Sequence, residues 1–211
     1  MKNIKYLAIL FIASLVFVST AQSAIIMSDF NTDQEGWTGS GVEISYFATG
    51  GNPGGYLQVN DLPYTSFVRA PTKFLGDLSS FDGGTLSFDM KLFSSDLPLS
   101  KGGKVKLRSN SITLKKNVID VTSLSVPSDW VTGSISFTAA TWGLEQSTWI
   151  TFISNITSID VVVDPSAGAN NRDIAGFDNF KIQSVPIPSA IWLFGSGLLG
   201  LLGIARHKSF T

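Results

Sequence analysis

Short stretches in which apolar and polar residues alternate fill the middle of the chain, and turn-forming Gly, Asn, Asp and Ser lie between them. Alternation with a period of two is typical of β-strands that bury one face. The pattern predicts nine strands, at residues 25–30, 42–48, 56–59, 66–70, 85–92, 104–108, 131–137, 159–163 and 177–182. Because no helical repeat separates them, these strands predict an antiparallel β-sandwich.

One stretch follows a helical period instead. Trp149, Phe152, Ile153 and Ile156 fall at i, i+3, i+4 and i+7, which places them on one face of an α-helix. Ser147 precedes them and can cap a helix with its hydroxyl group. The pattern therefore predicts one short helix at residues 148–156, packed at one end of the sandwich.

An apolar run begins the chain. Two lysines precede residues 6–18, and Ala21-Gln22-Ser23 then supplies small residues at positions −3 and −1 of a cleavage site. The run is too short for a permanent membrane anchor. It predicts a signal peptide at residues 1–23 that signal peptidase removes, although cleavage two residues earlier or one residue later is an open alternative.

A second apolar run ends the chain. Val185-Pro186-Ile187-Pro188 is followed by the 17 uncharged residues 189–205 and then by Arg206-His207-Lys208. A helix can begin only after the second proline, and 17 residues lie at the lower limit of the roughly 17 to 25 that cross a bilayer. The basic cluster predicts a cytoplasmic C-terminus. We therefore expect a transmembrane helix at 189–205, with residues 24–184 outside the inner membrane.

The order of residues in this tail is distinctive. Val185, Pro186, Ile187, Pro188 and Ser189 are followed by Trp-Leu-Phe-Gly-Ser-Gly-Leu-Leu-Gly at 192–200. The tail resembles the PEP-CTERM family of bacterial sorting signals, in the variant that begins Val-Pro-Leu-Pro-Ala. The resemblance implies cleavage by an exosortase, a membrane-embedded cysteine protease of bacteria that make an exopolysaccharide. The anchor would then be transient, and the open alternative is an ordinary single-span anchor.

Composition limits the chemistry of residues 24–184. They contain 11 basic and 16 acidic residues, a formal charge of −5 that argues against a nucleic-acid partner. The chain has no cysteine, so its stability must come from its core. Its only histidine is His207 in the tail, which excludes Ser-His-Asp, Cys-His and histidine-ligated zinc chemistry from this domain.

The most specific marker inside the domain is the glycine-rich segment 50–57, Gly-Gly-Asn-Pro-Gly-Gly-Tyr-Leu. Pro53 holds Asn52 extended, and Gly54 can take the positive φ that a type II turn needs. Five further pieces accompany this segment along the chain: Glu35-Gly36-Trp37; Ala70-Pro71 with Phe74-Leu75-Gly76-Asp77; Gly83-Gly84-Thr85-Leu86-Ser87-Phe88-Asp89; Asn155-Ile156-Thr157-Ser158-Ile159; and Gly176-Phe177-Asp178-Asn179.

Together these pieces resemble the laminin B domain, also called laminin IV type A. The resemblance implies a jelly-roll sandwich similar to galactose-binding domains, and it implies no catalytic residues. The chain departs from the family at Val161-Val162-Val163-Asp164, where Ile-Arg-Gly-Glu is usual, and it lacks the flanking cysteine-rich modules. The partners of laminin are therefore not carried over.

Asn31 and Asp178 predict a structural calcium site. They follow Phe30 and Phe177 in the first and last predicted strands, positions that often face each other in sandwiches similar to galactose-binding domains. Calcium takes six to eight oxygen ligands, so backbone carbonyls of residues 50–52 would have to join them. The alternative is that both side chains only cap strand ends.

Six of the 11 basic residues fall within 16 positions: Lys101, Lys104, Lys106, Arg108, Lys115 and Lys116. Lys104, Lys106 and Arg108 alternate with apolar residues, so on a strand they share its outer face. They predict a basic stripe that binds an acidic polysaccharide. The alternative is that these lysines only prevent pairing at a sheet edge.

Aromatic residues in predicted loops are candidates for sugar stacking. Trp142 beside Gly143 and Tyr64 beside Pro63 predict exposed platforms, whereas Trp37 and Trp149 are predicted to lie in the core. Asp29, Asp33 and Glu35 are close in sequence, but we interpret them as turn-forming and solvating acids rather than as a glycosidase pair.

These features predict an exported, transiently anchored protein of the cell surface or extracellular matrix. We expect a non-catalytic binding or structural role, with exopolysaccharide as the partner. An enzyme that acts on that polysaccharide and an adhesin for other surface proteins are the open alternatives.

Overall fold

The computed structural model describes residues 23–62, 66–166 and 172–186. Within these ranges Ala24–Val185 forms one compact unit with eleven strands. They are β1 Ile25–Ser28, β2 Thr38–Ser40, β3 Val42–Phe47, β4 Tyr56–Asp61, β5 Phe67–Arg69, β6 Gly84–Ser94, β7 Lys104–Ser109, β8 Ile112–Asn117, β9 Val131–Phe137, β10 Ser158–Val162 and β11 Ile174–Gln183.

The first sheet is organised around its longest late strand, β11. Its strand order is β3-β4-β11-β6-β9, and β1 also pairs with β11. The first half of β11 pairs with β4 and its second half pairs with β1, while β6 pairs along the other edge. A register irregularity between Asp178 and Lys181 separates the two halves. This bulge turns the Asp178 region toward the loop that precedes β4.

The second sheet has the strand order β2-β5-β10-β7-β8, and all of its pairs are antiparallel. Strand β7 is therefore an interior strand, and β8 covers its free side. The chain crosses between the two sheets after most strands, as it does in a jelly roll. These features confirm the predicted antiparallel β-sandwich.

Inward-facing residues of both sheets form a single apolar core. Trp37 is fully buried there, with ring centroids 4.9 Å from Phe177, 5.1 Å from Phe180 and 5.8 Å from Phe74. Its indole Nε1 donates a hydrogen bond of 2.9 Å to the buried Ser28 Oγ. A buried polar atom with a partner avoids a desolvation penalty, so the indole fits the core completely. The predicted core positions of Trp37 and Trp149 are confirmed.

Two α-helices follow β9: α1 Ala139–Trp142 and α2 Gln146–Ile153. The prediction of one helix at 148–156 therefore found α2 with shifted ends and missed α1. The predicted Ser147 cap is wrong, because Glu145 stands at the N-cap and its side chain makes no capping hydrogen bond. In α1, Gly143 takes a left-handed φ of 77° and ends the helix.

All nine predicted strands are present, and β2 and β8 are the two that the alternation missed. Short 3₁₀ turns at Thr72–Phe74, Ser79–Phe81 and Val121–Ser123 complete the described elements. None of the helices in the described part of the chain is long and apolar enough to cross a bilayer. The predicted span at 189–205 lies outside the described residues, as does the predicted signal peptide except for Ser23.

Candidate functional site

Four aromatic side chains lie together on the outer face of the first sheet. Phe47 and Tyr56 are cross-strand partners on β3 and β4, and their rings stack at 5.2 Å. Phe93 of β6 and Trp130, which directly precedes β9, approach the Tyr56 ring to 5.8 Å and 5.6 Å. We call these four residues the aromatic face.

The indole of Trp130 is held in place from two sides. Its Nε1 donates a hydrogen bond of 3.0 Å to the Gly50 carbonyl oxygen. Beneath it lies Gly176 of β11, where a Cβ atom would come within 2.7 Å of the indole Cη2. A side chain at Gly176 would displace the indole, so the glycine makes room for it. The ring is partly exposed and has a fixed orientation.

Tyr56 is the floor of the aromatic face and Phe47 its rim. Tyr56 is buried, and this burial raises the pKa of its hydroxyl group. Phe47 is 41 % exposed, and Phe93 and Trp130 are half-buried. The face therefore presents three rings to solvent on a buried fourth ring.

Side chains that can form hydrogen bonds lie beside the aromatic rings, on the same outer face of β4 and β6. Gln58 and Asn60 follow Tyr56 at alternate positions, and the Gln58 amide donates to Asn60 Oδ1 at 3.2 Å. Lys91 lies two residues before Phe93, with its Nζ 5.3 Å from that ring centroid. The rings thus have amide and ammonium groups beside them.

The sequence-based prediction selected none of the four members of the aromatic face, although a signal for two of them was present. Along β3 the outward positions are Glu43, Ser45 and Phe47. Trp130 directly precedes β9 and has the same outward phase as the polar residue Thr132. An aromatic residue in the polar phase of a strand indicates a ring that faces solvent. This phase, rather than proximity to a predicted loop, identifies the exposed rings.

Trp142, the predicted platform, is a core residue. It is 2 % exposed, its Nε1 donates to the Ser136 carbonyl oxygen at 3.2 Å, and its ring stacks on Trp149 at 5.9 Å. The prediction was wrong because Gly143 ends a short helix that turns Trp142 inward. Tyr64 lies outside the described residues, and its platform role stays a prediction.

The loop at residues 50–55 is tied to the sheet by a network of carboxylates and amides. Asp178 Oδ2 accepts a hydrogen bond of 2.7 Å from the Asn52 backbone N–H, and its Oδ1 accepts one of 2.6 Å from Asn179. Asp89 Oδ2 accepts hydrogen bonds from the side-chain amides of Asn52 and Asn179, at 3.0 Å and 2.8 Å. The Asn52–Pro53 peptide is cis, and Gly54 takes the expected positive φ, 91°. The loop that carries the Gly50 acceptor of Trp130 is therefore fixed.

The two predicted calcium ligands reach this same loop. Asn31 Oδ1 lies 2.1 Å from where a Cβ of Gly54 would be, and Asp178 Oδ2 lies 2.7 Å from where one of Gly51 would be. Burial raises the pKa of Asp178 to about 6, and the negative charges of Asp89 and Asp29 add to it. Oxygen atoms and negative charge thus lie where calcium is predicted to bind. Calcium binding there stays a prediction.

Lys104, Lys106 and Arg108 share the outer face of the second sheet, as expected for a stripe on one strand. Because β7 lies between β10 and β8, these residues are not on an edge strand, and the edge-blocking interpretation is wrong for them. Lys115 of β8 pairs with Lys106 and joins the stripe, whereas Lys116 pairs with the core residue Val105 and belongs to the other face. Burial lowers the pKa of Lys106, and the positive charges of Lys115 and Arg108 add to this effect.

The sorting motif is described only at its start. Val185, 55 % exposed, and Pro186, also exposed, follow the end of β11. Ile187, Pro188 and Ser189 lie outside the described residues, together with Arg206, His207 and Lys208.

Three buried aspartates meet where β4 ends and β11 begins. Carboxylate oxygens of Asp61, Asp164 and Asp173 lie within 4.8 Å of one another. Lys101 forms an ion pair with Asp164, and Ser166 Oγ donates to Asp173 at 2.6 Å. Burial raises the pKa of Asp164 to about 6, and the charge of Asp61 adds to it, although the Lys101 contact acts in the opposite direction.

The raised pKa of Asp164 predicts that the folded protein becomes more stable as the pH falls. Its pKa in the folded protein exceeds its ordinary value of 3.8, so the folded state binds the proton more tightly than the unfolded state does. The penalty for its charge is complete above about pH 6 and disappears below about pH 4, which corresponds to a gain of about 1–2 kcal/mol between about pH 7.5 and pH 5. Urea unfolding followed by circular dichroism measures this gain. In the Asp164→Asn variant this contribution should vanish, and an unchanged pH slope in that variant would contradict the assignment.

No protein-family model matches the sequence, and no curated protein matches it. Among solved structures, an exo-β-agarase is similar with a TM-score of 0.52 and 13 % identity, over 77 % of this chain and 26 % of the agarase chain. The L4b domain of human laminin α2 is similar with a TM-score of 0.44 and 8 % identity, over 61 % of this chain and 80 % of that domain. A family 30 carbohydrate-binding module is similar with a TM-score of 0.47 and 19 % identity, over 75 % of this chain and 88 % of the module.

These similarities concern the fold. The agarase match shares the β-sandwich, but this chain corresponds to about a quarter of the agarase, so the activity of the whole enzyme is not carried over.

Proposed function

We propose that this chain is a non-catalytic polysaccharide-binding protein of the bacterial cell surface or extracellular matrix, with exopolysaccharide as its partner. The observation that carries the proposal is the aromatic face, four rings in contact on the outside of a sheet. The C–H face of a sugar ring packs on aromatic rings, and its hydroxyl groups need hydrogen-bond partners alongside. The aromatic face supplies the first, and Gln58, Asn60 and Lys91 supply the second.

The rigidity of the aromatic face favours binding. Trp130 is fixed by its hydrogen bond to Gly50, and Tyr56 is buried beneath its neighbours. Side chains that are already ordered lose little conformational entropy when a ligand arrives. A sugar chain lying across β3, β4 and β11 would therefore meet a surface that needs no rearrangement.

The carboxylates on these strands support binding rather than hydrolysis. A glycosidase needs two carboxyl groups that flank one glycosidic bond. Asp89 and Asp178 instead accept hydrogen bonds that hold the loop at 50–55. Because these two carboxylates serve the loop, they are not arranged as an acid and base pair for the aromatic face.

Two other functions remain alternatives: a polysaccharide-active enzyme and an adhesin that binds surface proteins. A glycan array that records both binding and product release separates binding from hydrolysis. A pull-down from cells that make no polysaccharide tests the adhesin, because capture of a protein there would favour it.

Replacing Phe47 or Trp130 with alanine is expected to weaken polysaccharide binding. Each ring contributes about 1 kcal/mol of stacking, so each variant should lose about fivefold to tenfold in affinity. Affinity electrophoresis through gels that contain the isolated exopolysaccharide measures the loss. Phe47 is the cleaner site because its ring is largely outside the core.

Ile112→Ala is the matched control, since Ile112 is 46 % exposed and lies on β8 of the other sheet. Its removal should leave binding unchanged. If the Phe47 and Trp130 variants migrate like the unmodified protein while remaining folded, the aromatic face is not the sugar site.

The proposal includes export and sorting. By its resemblance to the PEP-CTERM family, the tail would hold the chain in the inner membrane until an exosortase cuts at or beside residues 185–189. The exposed position of Val185, two residues after the end of the last strand, supports this because a protease can reach the backbone there without opening the sandwich.

Mass spectrometry of C-terminal peptides in the native host tests the cleavage. The protein recovered from the surface or medium should lack residues 192–208, while the intact tail should be found only in the membrane fraction. A Pro186→Ala, Pro188→Ala variant should remain uncut and membrane-bound. Recovery of residues 192–208 on the surface-exposed or secreted protein would contradict sorting cleavage.

A structural calcium ion at Asn31 and Asp178 is also part of the proposal. Both side chains present oxygens to the loop at 50–55, and in the described residues no basic side chain lies within 4 Å of Asp29, Asp89 or Asp178. Calcium binds such oxygen-rich sites. There it would neutralise negative charge and hold the loop against β11.

A further inference from the structure

We propose that the outer face of the second sheet is a separate binding surface for an anionic polysaccharide, one that carries carboxylate or sulfate groups. The surface, which we call the basic face, consists of Arg69, Lys104, Lys106, Arg108 and Lys115. It lies on a different sheet from the aromatic face. Binding there goes beyond the proposed function and does not depend on it.

The strand register assembles the basic face from three strands. A row across the sheet runs from Arg69 on β5 to Asp160 on β10, Lys106 on β7 and Lys115 on β8, each directly opposite the next. Residues directly opposite each other in an antiparallel pair point to the same side. Lys104 and Arg108 extend the row along β7 at steps of about 6.7 Å.

The charge of the basic face is not compensated within the sheet. Among the described strands Asp160 is the carboxylate placed on this face, and Arg69 occupies it with hydrogen bonds of 2.8 Å and 3.4 Å. In the described residues no carboxylate lies within 4 Å of Lys104, Lys106, Arg108 or Lys115. Lys106 and Lys115 are like charges directly opposite each other, a pairing that destabilises a sheet.

Phe67 holds two of the cations in position. Its ring centroid lies 5.2 Å from Arg69 Cζ and 5.1 Å from Lys106 Nζ. Such cation–π contacts orient long side chains that would otherwise be mobile. The face therefore presents ordered positive charges.

A polyanionic sugar chain fits this surface better than other polyanions do. The cations form two rows that cross at Lys106 on a sheet face, which suits charges repeated along a polymer rather than a single phosphate. The domain as a whole carries −5, which opposes the long-range attraction that nucleic-acid binding relies on. A membrane surface would call for apolar side chains that enter the lipid, and Phe67, the aromatic side chain on this face, is half-buried beneath its cations.

The test is affinity electrophoresis of the full chain through gels that contain alginate, a polyuronate, or neutral dextran. Alginate should retard the unmodified protein and dextran should not. The retardation should fall steeply between about 50 mM and about 300 mM salt, because exposed charges are screened. The triple variant Lys104→Ser, Lys106→Ser, Arg108→Ser should lose about tenfold or more in alginate affinity.

A charge-matched control separates the basic face from net charge. Lys116→Ser, Arg172→Ser, Lys181→Ser removes three cations that lie off this face, and it should bind alginate like the unmodified protein. In the single variant Lys115→Glu, a glutamate lies directly opposite Lys106 on the exposed edge strand. This variant should also weaken alginate binding. The inference is overturned if the unmodified protein does not bind alginate, or if the control loses as much affinity as the triple variant. It is also overturned if single-stranded DNA or anionic lipid vesicles bind the basic face more tightly than alginate.

Discussion

The Trp37→Ala variant is expected to lose about 4 kcal/mol of unfolding free energy. The indole is fully buried and touches the rings of Phe177 and Phe180 on β11 and of Phe74 in the 3₁₀ turn Thr72–Phe74. Alanine would leave a cavity that these rings cannot fill by small movements. Urea unfolding of the full chain, followed by circular dichroism, measures the loss.

Two variants calibrate this result. Trp37→Phe keeps an aromatic ring in the core and removes the donor to Ser28 with part of the indole, so it should cost about 1–2 kcal/mol. Trp130→Ala removes the same side chain at a half-buried surface site and should cost clearly less than Trp37→Ala. Equal losses at positions 37 and 130 would show that Trp37 is not the centre of the core.

The Asp178→Ala variant is expected to lose about 2–4 kcal/mol and to weaken polysaccharide binding as well. It removes the acceptor of the Asn52 and Asn179 backbone N–H groups, and these partly buried donors lose their partner. The loop then loses one of its attachments to β11, so the Gly50 carbonyl holds Trp130 less firmly. Parallel urea unfolding and affinity electrophoresis should therefore show two losses from one change that lies outside the aromatic face.

Asp129→Ala is the control for charge, because Asp129 is exposed and directly precedes Trp130. It should alter neither quantity. Calcium should raise the melting temperature of the unmodified protein relative to chelator and leave that of Asp178→Ala unchanged. Identical melting of the unmodified protein with calcium and with chelator would exclude the calcium site, and normal polysaccharide binding by Asp178→Ala would disconnect the loop from the aromatic face.

The strands could be predicted because most of them bury one face and therefore alternate. Strand β8 escaped because its exposed edge position leaves Thr113, Lys115 and Asn117 on one side and gives only Leu114 a clear apolar partner in the core. Strand β2 escaped because it is three exposed residues long and contains Gly39. These two strands bury too little surface to leave a pattern in the sequence.

The sites were harder to predict than the strands because they depend on which strands become neighbours. The stripe on β7 could be read from one segment, but its partner Lys115 and its anchor Phe67 join only through pairing in the second sheet. The aromatic face brings together residues as distant as Phe47 and Trp130, and no local pattern encodes that distance. Gly143 misled the prediction for Trp142 because a glycine marks a helix end as readily as a loop.

The last strand to be made is the one on which the first sheet depends. Synthesis proceeds from the N-terminus, so β11 arrives after every other strand, yet it alone joins β4 and β1 to β6. Until Gln183 has emerged, those strands have open edges, and Leu57 and Phe88 cannot reach their buried positions. The first sheet is thus expected to be completed late, when β11 is available, whereas the strands of the second sheet can pair before it.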